Sequence, residues 1–194
     1  MNHDEIKLTD KTKHISETPE AIVEQLLTLP PVRLESIAKG PGLYALYDHE
    51  SQPRYIGITS KCLNDRIFKR HVGGDGNSHK FSSRYNVGRM FHTRKHPATC
   101  DADGRIAKML RRAFAREHCR AVALSIPHLT KNQLWSLEGA VLEIAPPEVK
   151  IWNNIKQLEG CEPTELLDDL LASLNLADEE VAAIDRQAVR WNCK

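Results

Sequence analysis

Two short segments, Gly42-Leu43-Tyr44-Ala45-Leu46-Tyr47 and Arg54-Tyr55-Ile56-Gly57-Ile58-Thr59, are separated only by the turn-rich link Asp48-His49-Glu50-Ser51-Gln52-Pro53. Aromatic and β-branched side chains favour extended backbone, and a link this short points to one way of satisfying the strand amides, an antiparallel hairpin. Side chains alternate along a strand. Tyr44 and Leu46 therefore share one face, as do Tyr55, Gly57 and Thr59, and the hairpin can set the two phenols side by side.

The rest of the chain reads as elements that cover this hairpin. After a polar N-terminal tail, Thr18-Pro19 supplies an N-cap and an N1 proline, and Ile22, Val23, Leu26 and Leu27 share a helical face until Pro30-Pro31. A helix from about Asn64 through His71 is stopped by Gly73-Gly74-Asp75-Gly76-Asn77, and an irregular stretch runs on to about Asp103. Ile106, Met109, Leu110, Ala113 and Phe114 then recur at helical spacing and predict a helix over Arg105 to His118. Its opposite side carries Arg105, Lys108, Arg112 and Arg116. Ala121 to Ile126 reads as a buried strand, and Lys131 to Ala145 as a helix closed by Pro146-Pro147. Two short amphipathic helices follow, with Leu166, Leu167, Leu170, Leu171 and Leu174 on the first and Val181 and Ile184 on the second. They read as an appended acidic hairpin that either packs on a partner subunit or, as the favoured reading, is a solvated exterior. The pattern predicts an α/β (α+β) fold in three parts: a tail and accessory helix over 1–39, a central domain over 40–155 with an insertion at 73–103, and a helical extension over 156–194.

A chain of 194 residues with 41% hydrophobic and 27% charged residues is long and mixed enough for one folded domain, which excludes collagen-like, coiled-coil and wholly disordered architectures. No apolar run nears the ~18 residues of a membrane helix, and Met1-Asn2-His3-Asp4-Glu5 begins no signal segment, so the expected location is the cytoplasm with no membrane partner. Five widely spaced cysteines without a Cys-x-x-Cys pair are expected to be reduced thiols. The net charge of +1 conceals an uneven distribution: residues 54–120 hold 16 basic and 5 acidic residues, whereas 159–194 hold 3 and 9. A central block at +11, with five of the nine histidines, is the footprint of a polyanion-binding surface, or else a solvated basic face.

One carboxylate stands out. Glu138 lies four residues after Leu134 and four before Leu142, within the apolar stripe of its helix, and is costly to desolvate unless it is paired or binds a cation. It reads either as an edge residue salt-bridged to an arginine or as a metal ligand at the bottom of a cleft. Arg66 falls eleven residues after Tyr55, on the helix that folds back over the hairpin.

In this order the residues resemble the GIY-YIG nuclease family. Gly42-Leu43-Tyr44 and Tyr55-Ile56-Gly57 match its two signatures, followed by Arg66, by Glu138 on a later helix and by Asn153 fifteen residues beyond it, the resemblance covering Gly40 to Asn154. It implies a small three-stranded antiparallel sheet flanked by helices that cuts phosphodiester bonds with one divalent metal. Tyr44 would be the general base, supported by Tyr55. Arg66 would clamp the scissile phosphate, Glu138 would hold Mg²⁺, with Mn²⁺ able to substitute, and Asn153 would fix the geometry of that shell. The sequence departs from the family in having Leu43 for isoleucine and in the helper group one turn after the arginine. Position +4 is Arg70 and +5 is His71. On an α-helix these lie about 40° and 140° from Arg66, so Arg70 is the better placed, and the identity of the helper stays open.

The insertion mixes Lys80, Arg84, Arg89, Arg94 and Lys95 with Phe81, Tyr85, Phe91, Asn77 and Asn86, a composition that can grip phosphates, wedge between bases and read their edges. With Arg105, Lys108 and Arg112 it is expected to bind DNA. His92, His96 and Cys100 have ligand chemistry, but Pro97 interrupts a helix there and no fourth ligand is near, so zinc is not expected. Gly73 to Gly76 lacks the Gly-Lys-Ser/Thr of a P-loop. The functional expectation is a Mg²⁺-dependent endodeoxyribonuclease acting on double-stranded DNA, of restriction or defence type, as a monomer or homodimer. The alternatives are a catalytically silent DNA-binding module or a repair or mobile-element nuclease of the same fold.

Overall fold

Strands β1 (Val32–Arg33), β2 (Gly42–Tyr47) and β3 (Pro53–Thr59) begin the sheet of the computed structural model, which describes residues 17–74, 79–93, 99–154 and 160–193. The hairpin has the anticipated alternation, with Tyr44 opposite Gly57 and Leu46 opposite Tyr55. Its turn is held by Asp48, whose Oδ1 accepts the Glu50 and Gln52 amides and whose Oδ2 accepts Arg54 Nε at 2.6 Å. On its other edge β2 pairs antiparallel with β4 (Arg120–Ser125). Gly42 permits that approach: a Cβ there would fall on the Leu124 carbonyl oxygen.

The sheet has four strands rather than three, in the order β1-β4-β2-β3. The extra strand is two residues long, pairing Val32 with Ala121 and Arg33 with Arg120, and has no periodicity that could announce it. Both faces are covered. Leu43, Ala45, Ile56, Val122 and Leu124 pack against α1 (Pro19–Thr28) and α4 (Lys131–Ile144). The other face, with Tyr44, Leu46 and Ala121, packs beneath a π-helix (Asp65–His71), α2 (Lys80–Arg84) and α3 (Asp101–His118). The N-cap predicted at Thr18 is present, and α4 has a cap that its sequence reading did not name. Thr18 Oγ1 accepts the Ala21 amide at the start of α1, and Thr130 with Gln133 forms a capping box on α4.

The C-terminal helices α5 (Thr164–Ser173) and α6 (Asp178–Asn192) are not a solvated exterior. Leu167, Ala183 and Ile184 are buried in the core that contains Tyr44. Arg186 and Arg190 converge on the buried Asp103 at the start of α3. Burial alone would push that carboxyl up, but the two guanidinium groups hold it at about 2. Two acidic residues of this segment, Glu162 and Asp168, also pair internally, with Arg89. The five cysteines are unpaired thiols, and no helix among the described residues is long and apolar enough to cross a membrane.

Candidate active site

Tyr44 Oη is the hub of the site. Tyr44 sits on the central strand β2, is fully buried, and has its ring centroid 6.0 Å from that of Tyr55 on β3. Gly57 lies beneath both: a Cβ there would come within 2.9 Å of the Tyr55 hydroxyl and 3.0 Å of the Tyr44 hydroxyl. The glycine of the second tripeptide is therefore the floor on which the two phenols meet.

Two donors reach Tyr44 Oη. Arg66 Nε donates at 3.3 Å, and His71 Nε2 lies at 2.7 Å. The Lys80 backbone N–H donates to His71 Nδ1 at 3.1 Å, so Nδ1 is the acceptor of the neutral ring and Nε2 carries the hydrogen. Burial, and then the charge of Arg66, push the His71 pKa well below its usual value and keep the ring neutral. His71 is accordingly a donor to Tyr44, and the phenol's own proton has to leave in a third direction. Burial also drives the Tyr44 pKa well above 10, with Tyr55 adding to the rise and Arg66 opposing it. The site is thus built to hold negative charge on this oxygen while resisting its spontaneous formation.

Of Arg70 and His71, it is His71 that lies at the Tyr44 hydroxyl. Residues 65–71 form a π-helix, whose wider turn carries His71 closer to the side of Arg66 than α-helical spacing would. His71 is buried beside Tyr44, and Arg70 points to solvent.

Glu138 reaches the same neighbourhood from α4. It is half-buried, and among the described residues no ion pair neutralises it. Burial raises its pKa, with the Ile58 backbone N–H and the charge of Arg66 pulling the other way. Its charge acts in turn on Tyr55, whose pKa is raised mainly by burial. The edge-residue reading therefore lacks its expected partner. Asn153 has a different position from the one the resemblance implied. Its Oδ1 accepts the Ile56 N–H at 3.1 Å and its Nδ2 donates to the Ile56 carbonyl at 2.6 Å. Together with Trp152 N on the Arg54 carbonyl, these bonds complete the outer edge of β3. Asn153 holds the strand behind Tyr55 and Gly57, and both of its polar groups are occupied in doing so.

The insertion residues divide. Lys80 is at the site rather than on a distant surface, its ammonium on the Trp152 carbonyl and 5.3 Å from the Tyr55 ring centroid. Arg84 lies over the Tyr85 ring and on the Cys161 carbonyl. Arg89 is committed to Glu162 at 2.8 Å and Asp168 at 2.6 Å. Neither arrangement is the phosphate grip expected of them. Phe81, Tyr85 and Phe91 are core residues rather than wedges, and Asn86 Oδ1 accepts the His92 amide and Arg111 instead of a base edge. Asn77, Arg94, Lys95 and His96 lie outside the described residues. In contrast, Arg105, Lys108, Arg112 and Arg116, with Met109 and Ala113, line a groove of about 390 Å³ along α3. Arg112 donates to the Gly73 carbonyl and Arg116 lies 4.7 Å from the Phe68 ring centroid, so the groove adjoins the π-helix that carries Arg66 and His71.

No protein-family model matches the chain, and no curated protein or solved structure matches it.

Proposed function

We propose that the protein is a divalent-metal-dependent endodeoxyribonuclease of the GIY-YIG type. The observation that carries this reading is the doubly donated oxygen of Tyr44, set beside a second phenol and near a half-buried carboxylate that no ion pair neutralises among the described residues. Hydrolysis of a phosphodiester needs a group to take the proton of the attacking water, a cation on the developing phosphorane charge and stabilisation of the leaving oxygen. Tyr44 takes the first role as a phenolate, its charge shared by hydrogen bonds from His71 and Arg66. The remaining guanidinium donors of Arg66 meet the phosphate, and Tyr55 orders the water beside Tyr44.

Glu138 is the residue to hold a cation. Among the described residues no three His, Cys, Asp or Glu side chains gather into a cage, and Mg²⁺ is the cation that does not require one, since it keeps several waters and takes one or two carboxylates plus substrate oxygens. When bound it would stabilise the leaving oxygen and lower the cost of a nearby phenolate. Among the described residues, the cations best arranged as a duplex-binding face are those of α3, with Arg105, Lys108 and Arg112 meeting DNA phosphates.

The test is cleavage of supercoiled plasmid by wild type and Tyr44→Phe, in Mg²⁺ and in EDTA. Nicking by the wild type in Mg²⁺ alone, lost in Tyr44→Phe, is the expected result. DNA binding without cleavage by the wild type would support the silent-module reading instead.

A further inference from the structure

Gly139, the neighbour of Glu138, stands inside the 14-residue helix α4, where glycine is the poorest helix former short of proline. No packing requirement accounts for it: among the described glycines it is the one whose added Cβ would meet nothing within 4 Å. Glycine also serves where another molecule must come close to the backbone. One turn before it, at i−4, is Trp135, which is 53% exposed. The Lys131 ammonium lies over the indole, 4.3 Å from the Trp135 ring centroid. At 100° per residue Gly139 lies about 40° to one side of Trp135 and Glu138 about 60° to the other, so the three share one surface of the helix. The helical neighbours of Trp135 on that surface are Lys131, Asn132, Glu138 and Gly139. An aromatic ring in a polar setting beside a cation lacks the broad apolar surround of a protein-docking patch and has the composition of a nucleobase-stacking platform.

We infer that Trp135 and Gly139 form a ledge for an unstacked nucleobase: the base lies over the bare helix surface at Gly139 and stacks on the indole, beside the strand whose phosphate Arg66 holds. This inference rests on the nuclease reading and deepens it, since it selects DNA with an unpaired or extruded base near the cut over a fully stacked duplex. Lys131 then serves twice, fixing the ring and offering charge to the adjoining phosphate.

The experiment is a titration of the full chain, in EDTA, with a single-stranded thymidine 12-mer (about 12 nucleotides suits one site) and with a blunt duplex of the same length. Tryptophan fluorescence and anisotropy are read together. Trp152 is buried and Trp191 is half-buried, its ring centroid 5.3 Å from that of Phe91, so Trp135 is the most exposed of the three tryptophans. Quenching is expected with the single strand and is expected to vanish in Trp135→Phe. Affinity for the single strand should fall by about fivefold or more in Trp135→Ala. Gly139→Ala and Gly139→Gln should raise the melting temperature and weaken binding. Unchanged binding in these variants, persistence of quenching in Trp135→Phe, or a lowered melting temperature in Gly139→Ala would overturn the ledge. Plasmid nicking in Mg²⁺ separates the two readings. Quenching without wild-type cleavage keeps the ledge and removes the nuclease, whereas cleavage that Trp135→Ala and Gly139→Ala leave unaltered, without quenching, removes the ledge and keeps the nuclease.

Discussion

Tyr44 meets two opposed demands at one oxygen. Burial keeps it protonated near neutrality, and the Arg66 and His71 donors favour the phenolate that a base requires. If the phenolate is the active form, single-turnover cleavage should climb steadily between about pH 7 and about pH 9, approaching tenfold per pH unit, because the pKa lies above this range and the deprotonated fraction grows with pH. Tyr44→Phe should lose the ~10²–10⁴-fold typical of removing a general base, and Tyr55→Phe should lose less. His71→Ala should lower the rate and move the profile to higher pH, with partial rescue in His71→Gln, which restores a side-chain donor. A profile that His71→Ala does not move would remove His71 from the chemistry. The pairing of the two tyrosines was legible in the sequence because strand alternation fixes it. The donor role of His71 was not, because it depends on the Lys80 amide arriving from the insertion to set the imidazole tautomer.

At the scale of elements, the legible parts are those with long periodic runs. α3 and α4 were readable from apolar spacing, although α3 begins at Asp101, four residues before the predicted start at Arg105. The π-helix was illegible, since its sequence is compatible with α-helical spacing, on which His71 falls well away from the side of Arg66. The insertion misled for a related reason. Aromatic residues interleaved with arginines look the same at a nucleic-acid interface and in a core, and here α5 and α6, some 80 residues further along, decide between them. Among the described residues, the basic side chains that gather along one groove are consequently those of α3. Replacing Arg105 and Lys108 together with alanine should weaken duplex binding and lower the salt slope by roughly 0.9 for each lost phosphate contact. Arg89→Ala should leave that slope unaltered and destabilise the fold instead. Filter binding or anisotropy across a salt series checks the slopes, and chemical denaturation checks the fold.

Across the whole molecule, the C-terminal helices are tied to the sheet-bearing core through the buried Asp103 and its two arginines. A carboxyl displaced from 3.8 to about 2 contributes roughly 2 kcal/mol. Its folded pKa is depressed, so this stability is complete above about pH 4 and is lost as the pH falls through about 2. Asp103→Asn should cost a similar amount or more at neutral pH, since it leaves Arg190 beside a neutral amide, and should blunt the acid dependence; chemical denaturation at several pH values measures both. Glu138 was legible as an anomaly of its apolar stripe, but the choice between ion pair and cation site needed the structure, which supplies no ion pair among the described residues. The central claim, that this carboxylate serves metal-dependent DNA cleavage, is tested most directly by Glu138→Gln. Mg²⁺-dependent plasmid nicking and DNA binding by anisotropy are measured on the same preparation, with the melting temperature confirming the fold. Loss of nicking with binding retained is the expected result. Nicking by Glu138→Gln at the wild-type rate in Mg²⁺ would contradict the claim.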